Sequence, residues 1–96
     1  MLTSKQRSYL RKLANSENAL FQIGKGGISA SVIKQIEEAL EARELIKVHL
    51  LDNSDLSPKE ACDALAEETG ADGVQVVGSK FVLYKKSREN PRIKLP

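Results

Sequence analysis

The sequence predicts an α+β (α/β) domain of order α-β-α-β-α-β-β, with helices packed on a mixed four-stranded sheet. Three observations lead there. Three segments open on helix-capping residues and continue with apolar side chains at helical spacing, short apolar runs alternate with them, and Gly78-Ser79 separates the last two runs. At 96 residues, with 41% hydrophobic and 29% charged, the chain supports one domain with one modest core and lies far from the composition of a disordered chain.

Thr3-Ser4-Lys5-Gln6 has the form of a capping box, and Gln6, Tyr9, Leu10 and Leu13 follow at helical spacing, which predicts a helix from about Ser4 to Ala14. Lys5, Arg7, Arg11 and Lys12 fall away from that apolar stripe. Ala19-Leu20-Phe21-Gln22-Ile23 reads as a buried strand that stops at Gly24. Ser29 is the expected N-cap of a second helix, with Ile28 and Ile33 as a hydrophobic staple and Val32, Ile33, Ile36 and Leu40 as its apolar face, ending near Ala42. Residues 45–51 alternate as a strand with Ile46, Val48 and Leu50 on one face. Ser57-Pro58-Lys59-Glu60 combines an N-cap, a first-turn proline and a capping glutamate to open a third helix, and Gly70 ends it. Val74–Val77 and Lys80–Tyr84 then form a hairpin around a two-residue type II′ turn at Gly78-Ser79. The helical crossovers favour parallel strands, and the hairpin is antiparallel. Residues 1–86 make up the domain, and residues 87–96 are expected to be a basic tail, extended or mobile, in which Pro91 and Pro96 prevent a regular helix.

The net charge of +2 conceals a segregation of sign. Residues 1–36 carry Lys5, Arg7, Arg11, Lys12, Lys25 and Lys34 against Glu17 alone. Residues 73–96 carry Lys80, Lys85, Lys86, Arg88, Arg92 and Lys94 against Glu89 alone, whereas residues 37–72 are strongly acidic. Such asymmetry suits one face kept positive for a polyanion and another kept acidic for solubility. The lone Cys62 sits among alanines as a small core residue and fits a reducing, cytoplasmic setting. The N-terminus shows no secretory apolar segment, and no stretch approaches a membrane span.

Gly24-Lys25-Gly26-Gly27 falls between a strand and a helix start, where glycine backbone, free N–H groups and the positive helix end favour a phosphate. Lys25 adds a charge at the tip, and Ser29 can offer its hydroxyl to the same group unless capping occupies it. A nucleotide-binding P-loop is excluded because neither the spacing nor a lysine beside Ser or Thr is present. The dinucleotide fingerprint would need glycine where Ser29 stands. A four-residue G-x-x-G does match the loop by which KH-type domains clamp a nucleic-acid backbone.

The stretch Phe21 to Ser29, the helix pattern Val32-Ile33-Lys34-Gln35-Ile36, the segment Ala39 to Val48, the closing run Gln75 to Lys85 and the end Ile93 to Pro96 together resemble the YhbY-type, or chloroplast RNA splicing and ribosome maturation (CRM), family. The resemblance covers nearly the whole chain. It implies a fold similar to the C-terminal domain of translation initiation factor three, and a stand-alone bacterial protein that binds ribosomal RNA in precursors of the large subunit. It also implies that Gly24, Lys25, Gly26 and Gly27 contact RNA; such loops often carry another residue where Gly26 stands, which gives this one more freedom.

The expected RNA-binding set is that loop with Ser29, the first-helix cations Lys5, Arg7, Arg11 and Lys12, and Lys80, Lys85, Lys86 and Arg88 near the end of the chain. No catalytic group is expected: His49 has no second histidine or nearby cysteine, and Cys62 has no histidine partner. Glu37, Glu38, Glu41 and Glu44 read as a solvated face. Tyr9, Phe21, Phe81 and Tyr84 are too few and too dispersed for a base-stacking sheet, so backbone, shape and charge should dominate recognition. Phe21 and Phe81 read as core, while Tyr84 remains open between a stacking ring and the rim of the core. The expected protein is a monomer without cofactor, metal or small-molecule substrate. The rival classes are a protein-interaction module using acidic helix faces and a small nucleotide-binding protein.

Overall fold

The local signals at the chain's start are satisfied atom by atom in the computed structural model, which describes residues 2–96. The Gln6 N–H donates to the Thr3 hydroxyl at 3.1 Å, and the Thr3 N–H donates to the Gln6 side chain at 3.1 Å, closing the box that opens α1 (Ser4–Ala14). After β1 (Ala19–Ile23), Ser29 caps α2 (Ala30–Arg43) by accepting from the Val32 N–H at 3.2 Å. Then come β2 (Leu45–Leu50), α3 (Pro58–Thr69), β3 (Asp72–Val77) and β4 (Lys80–Tyr84). The box at the head of α3 is reciprocal between Ser57 and Glu60, and Gly70 leaves its end in the left-handed conformation. The N–H bond from Ser57 holds the Glu60 carboxyl below the usual carboxylate range.

The sheet order is β1-β2-β4-β3, with β1 and β2 parallel and both other pairs antiparallel. Gly78 has φ 59° while Ser79 stays out of positive φ, as a type II′ hairpin requires. A bulge between Gly73 and Gln75 lets β3 begin at Asp72, two residues before the apolar run that announces it.

Alternation along the strands divides the interior into two cores instead of one. Ile46, Val48, Leu50, Phe81 and Leu83 face α2 and α3, meeting Ile36, Leu40, Ala61, Cys62 and Leu65. Leu45, Val74, Val82 and Tyr84 face the other way, against Leu10 and Ala14 of α1, with Ile93 and Leu95 packed on the edge. Each fully buried aliphatic side chain here contributes roughly 1.5–3 kcal/mol. Tyr84 is thereby a core residue, and burial pushes its phenol pKa up. Cys62 is buried and free, and burial likewise raises its thiol pKa.

Two further expectations are corrected. β1 is an edge strand in which only Ile23 is buried, because it has one neighbour and extends beyond the cover of α1; Leu20 is 53% exposed. Glu44 is no part of a solvated face: it is 0% exposed and has φ 67°, a conformation that side chains other than glycine rarely adopt. Its carboxylate accepts the N–H groups of Ser87 at 2.8 Å, Arg92 at 2.5 Å and Ile93 at 2.7 Å. Glu41 accepts the Ser87 hydroxyl at 2.6 Å and the N–H groups of Arg88 and Glu89. The segment after Tyr84 has no regular secondary structure, as expected, yet these two carboxylates fasten it to the end of α2. Burial pushes the Glu44 pKa upward, and the three N–H bonds outweigh it, so the carboxyl lies below its usual range. The Arg88 N–H, helped by the Ser87 hydroxyl, lowers Glu41 as well.

Candidate nucleic-acid interface

β1 ends at Ile23, where the chain turns through Gly24–Gly27 before Ser29 starts α2. The turn is closed by the Gly27 N–H donating to the Gly24 carbonyl at 3.0 Å, with Gly27 at φ 66°. A side chain at Gly27 would meet nothing within 4 Å, so it is the backbone conformation that calls for glycine there. Asn53, in the loop after β2, lies against Gly24: a Cβ there would come 3.1 Å from its Oδ1. Among the described residues, the N–H groups of Gly26, Ala30 and Ser31 meet no acceptor. They lie where the helix dipole is positive. Ser29 does serve as the cap, which leaves its hydroxyl hydrogen free to donate. Lys25 is exposed at the tip.

The hairpin turn lies at the same end of the sheet, since the Leu50 N–H donates to the Ser79 carbonyl at 2.7 Å and the Leu51 N–H to the Ile23 carbonyl at 2.8 Å. This brings Lys80 to the loop's end of the sheet. The ion pair present among the described residues is Lys59 with Asp63 at 3.1 Å, so Lys5, Arg11, Lys12, Lys25, Lys80, Lys86 and Arg88 are exposed cations without a carboxylate partner. No group of three His, Cys, Asp or Glu among the described residues could hold a metal ion, and no helix is long and apolar enough to cross a membrane. A cavity of about 550 Å³ at the far end of α2 is lined by charges of both signs, Glu37, Glu38, Glu41 and Glu89 with Lys85, Lys86 and Arg88.

The profile of the CRS1 / YhbY (CRM) domain matches residues 2–85. The chain belongs to this family. It is 48% identical over 96 residues to the "Probable RNA-binding protein YqeI" of Bacillus subtilis, with all of both chains covered. It is 36% identical over 95 residues to an "RNA-binding protein" of Haemophilus influenzae, covering 99% of this chain and 95% of that one. The solution structure of the hypothetical protein SAV1595 from Staphylococcus aureus superposes with a TM-score of 0.83 at 53% identity, all of both chains being covered.

Within this CRM domain the sequence-predicted cations do not form one patch. Lys85, Lys86 and Arg88 flank the C-terminal end of α2, and the 14 residues of that helix separate them from the glycine loop. At 1.5 Å per residue this is about 20 Å. Two members of the set are engaged inside the fold. Arg7 reaches over the start of β3 and donates to the carbonyls of Gly73 and Val74, so it is not an outward-facing cation. Lys85 donates to the Thr69 carbonyl at 2.7 Å, satisfying the C-terminal end of α3. Sequence reasoning passed over Lys47, which shares a sheet face with Lys80; the period-two pattern of β2 already carried that signal, since Ile46, Val48 and Leu50 occupy the opposite face.

Proposed function

We propose that this CRM domain binds RNA, specifically ribosomal RNA in precursors of the large ribosomal subunit, and acts as a cytoplasmic, monomeric assembly factor without turnover. The supporting observation is the loop Gly24–Gly27: a positive-φ glycine turn with unpaired N–H groups, an exposed Lys25 and a capped helix start directly behind it. The names of its relatives and the resemblance of the loop to the KH-type clamp point the same way.

The primary contact is the loop with Ser29 and Lys80. Lys5, Arg11 and Lys12 on α1 supply further phosphate contacts, and Lys86 and Arg88 supply a second cationic point. About 20 Å corresponds to roughly six phosphates at 3.4 Å spacing along a strand, so one structured RNA can engage both points. Arg7 and Lys85 contribute through the fold.

The test is fluorescence anisotropy with large-subunit ribosomal RNA fragments, located beforehand by crosslinking in cells. Lys25→Ala should weaken binding at fixed salt and reduce the log-log salt slope by about 0.7 on single strands. Unchanged affinity in a folded Lys25→Ala protein would remove the loop from the interface. Crosslinks confined to other RNAs would overturn the ribosomal assignment.

A further inference from the structure

The strand registers leave half of one sheet face uncovered. α1 lies over Leu45, Val74, Val82 and Tyr84, and the helix ends at Asn15, beside Lys47 and Val82. Beyond it, ladder pairing aligns Gln22 with His49, His49 with Lys80, and Lys80 with Val77 in one row across all four strands. In the row below, which aligns Lys47 with Val82 and Val82 with Gln75, α1 buries Val82 and leaves Lys47 and Gln75 partly exposed on either side. Directly paired residues project to the same side of a sheet. Leu20, 53% exposed, sits in the bulge between Ala19 and Phe21, next to Ala19, which pairs with Lys47 in that second row, and Val77 is 61% exposed at the opposite edge. Neither row contains a carboxylate. The depression between Asn15, Lys47, Gln75 and Lys80 is only about 140 Å³, below the ~300–1,000 Å³ of a small-molecule pocket.

We propose that this open half-sheet is a second RNA contact, taken by the bases of a single-stranded segment whose backbone continues to the glycine loop. The proposal rests on the RNA-binding reading and assigns a ligand form to it. The lysines Lys47 and Lys80 fit phosphates, His49 offers a flat ring for stacking, and Gln22 and Gln75 offer amide donors and acceptors to base edges. The exposed apolar side chains decide between single and double strands. A duplex presents mainly its charged backbone and would leave Leu20 and Val77 uncovered, whereas unstacked bases bring π-faces to such side chains. Gln22 immediately precedes Ile23 and the loop, so a strand on this face has a short path to Lys25.

The experiment compares a short single-stranded RNA with a duplex of the same sequence by anisotropy, using the full chain. The paired substitution Gln22→Ala with His49→Ala should weaken single-strand binding about fivefold to a hundredfold, the range of one lost stacked base. It should leave the salt slope and duplex affinity unchanged, whereas Lys25→Ala lowers the slope. Lys47→Glu, on the same sheet face and outside the loop contact, serves as a second probe and should also weaken single-strand binding. If Lys25→Ala weakens binding while neither sheet substitution does, the half-sheet proposal is overturned and the loop reading stands. If none of the three has an effect in folded protein, both fail. Equal losses on single strand and duplex overturn the base contact, as does a dimer in sedimentation that the paired substitution dissociates.

Discussion

Replacing Glu44 by Gln tests how the end of the chain is held. One carboxylate oxygen accepts the Arg92 and Ile93 N–H groups, and the other accepts Ser87. An amide can present its oxygen to the first pair, but its NH2 group then faces the Ser87 N–H, a donor against a donor at a buried residue. A buried N–H left without an acceptor costs about 1–3 kcal/mol. Turning two charge-assisted bonds into neutral ones costs about 1 kcal/mol each. Release of residues 87–93 into water caps the total, so a loss of about 3 kcal/mol is expected. In a domain of this size that corresponds to a fall in Tm of roughly 12–24 °C, read by circular dichroism. Hydrogen exchange should show the Ser87, Arg92 and Ile93 amides losing protection together. The pH dependence gives an independent sign. Glu44 and Glu41 have folded pKa values below their unfolded ones, so their contribution is fully present above the unfolded glutamate value of about 4.3 and is lost as pH falls through the folded values. Glu44→Gln should flatten that acid limb. A Tm within about 2 °C of the parent, with those amides still protected, would refute the reasoning.

Two further outcomes follow from close contacts. Gly73→Ala places a Cβ 3.1 Å from the Cys62 sulfur, so urea denaturation should show a loss of about 1–3 kcal/mol, and Cys62→Ala in the same chain should recover part of it as a non-additive double-mutant cycle. Arg7→Ala should lower stability by about 1–3 kcal/mol through the carbonyls of Gly73 and Val74 while leaving the salt slope of RNA binding unchanged, which separates it from Lys25.

What the sequence made legible was local. The Thr3 and Ser57 capping boxes, the Ser29 cap, the Gly70 stop and the Gly78 turn all act within about four residues, and each element they bound appears where its signals put it. The place of the glycine turn was equally readable, because it depends on the strand before it and the cap after it. Glu44 was not, because its three partners lie 43 to 49 positions further along the chain. By local spacing it belongs to a run of acids on a helix surface, and only the returning segment turns it into a buried acceptor. Arg7 and Lys85 misled in the same way: a lysine or arginine shows its charge in the sequence, but not the backbone carbonyl that occupies it. The apolar run of β1 gave no sign of its place at the sheet's edge, which strand order decides.

β4, the last strand to be synthesised, occupies an interior place between β2 and β3. Until it has left the ribosome, β2 keeps a bare flank of backbone donors and acceptors, and neither core has its central wall. Assembly of the sheet therefore waits for the final fifth of the chain, with pairings distant in sequence that slow folding. A nascent chain paused before Lys80 leaves the edge of β2 unpaired, the kind of exposed edge that favours association between chains.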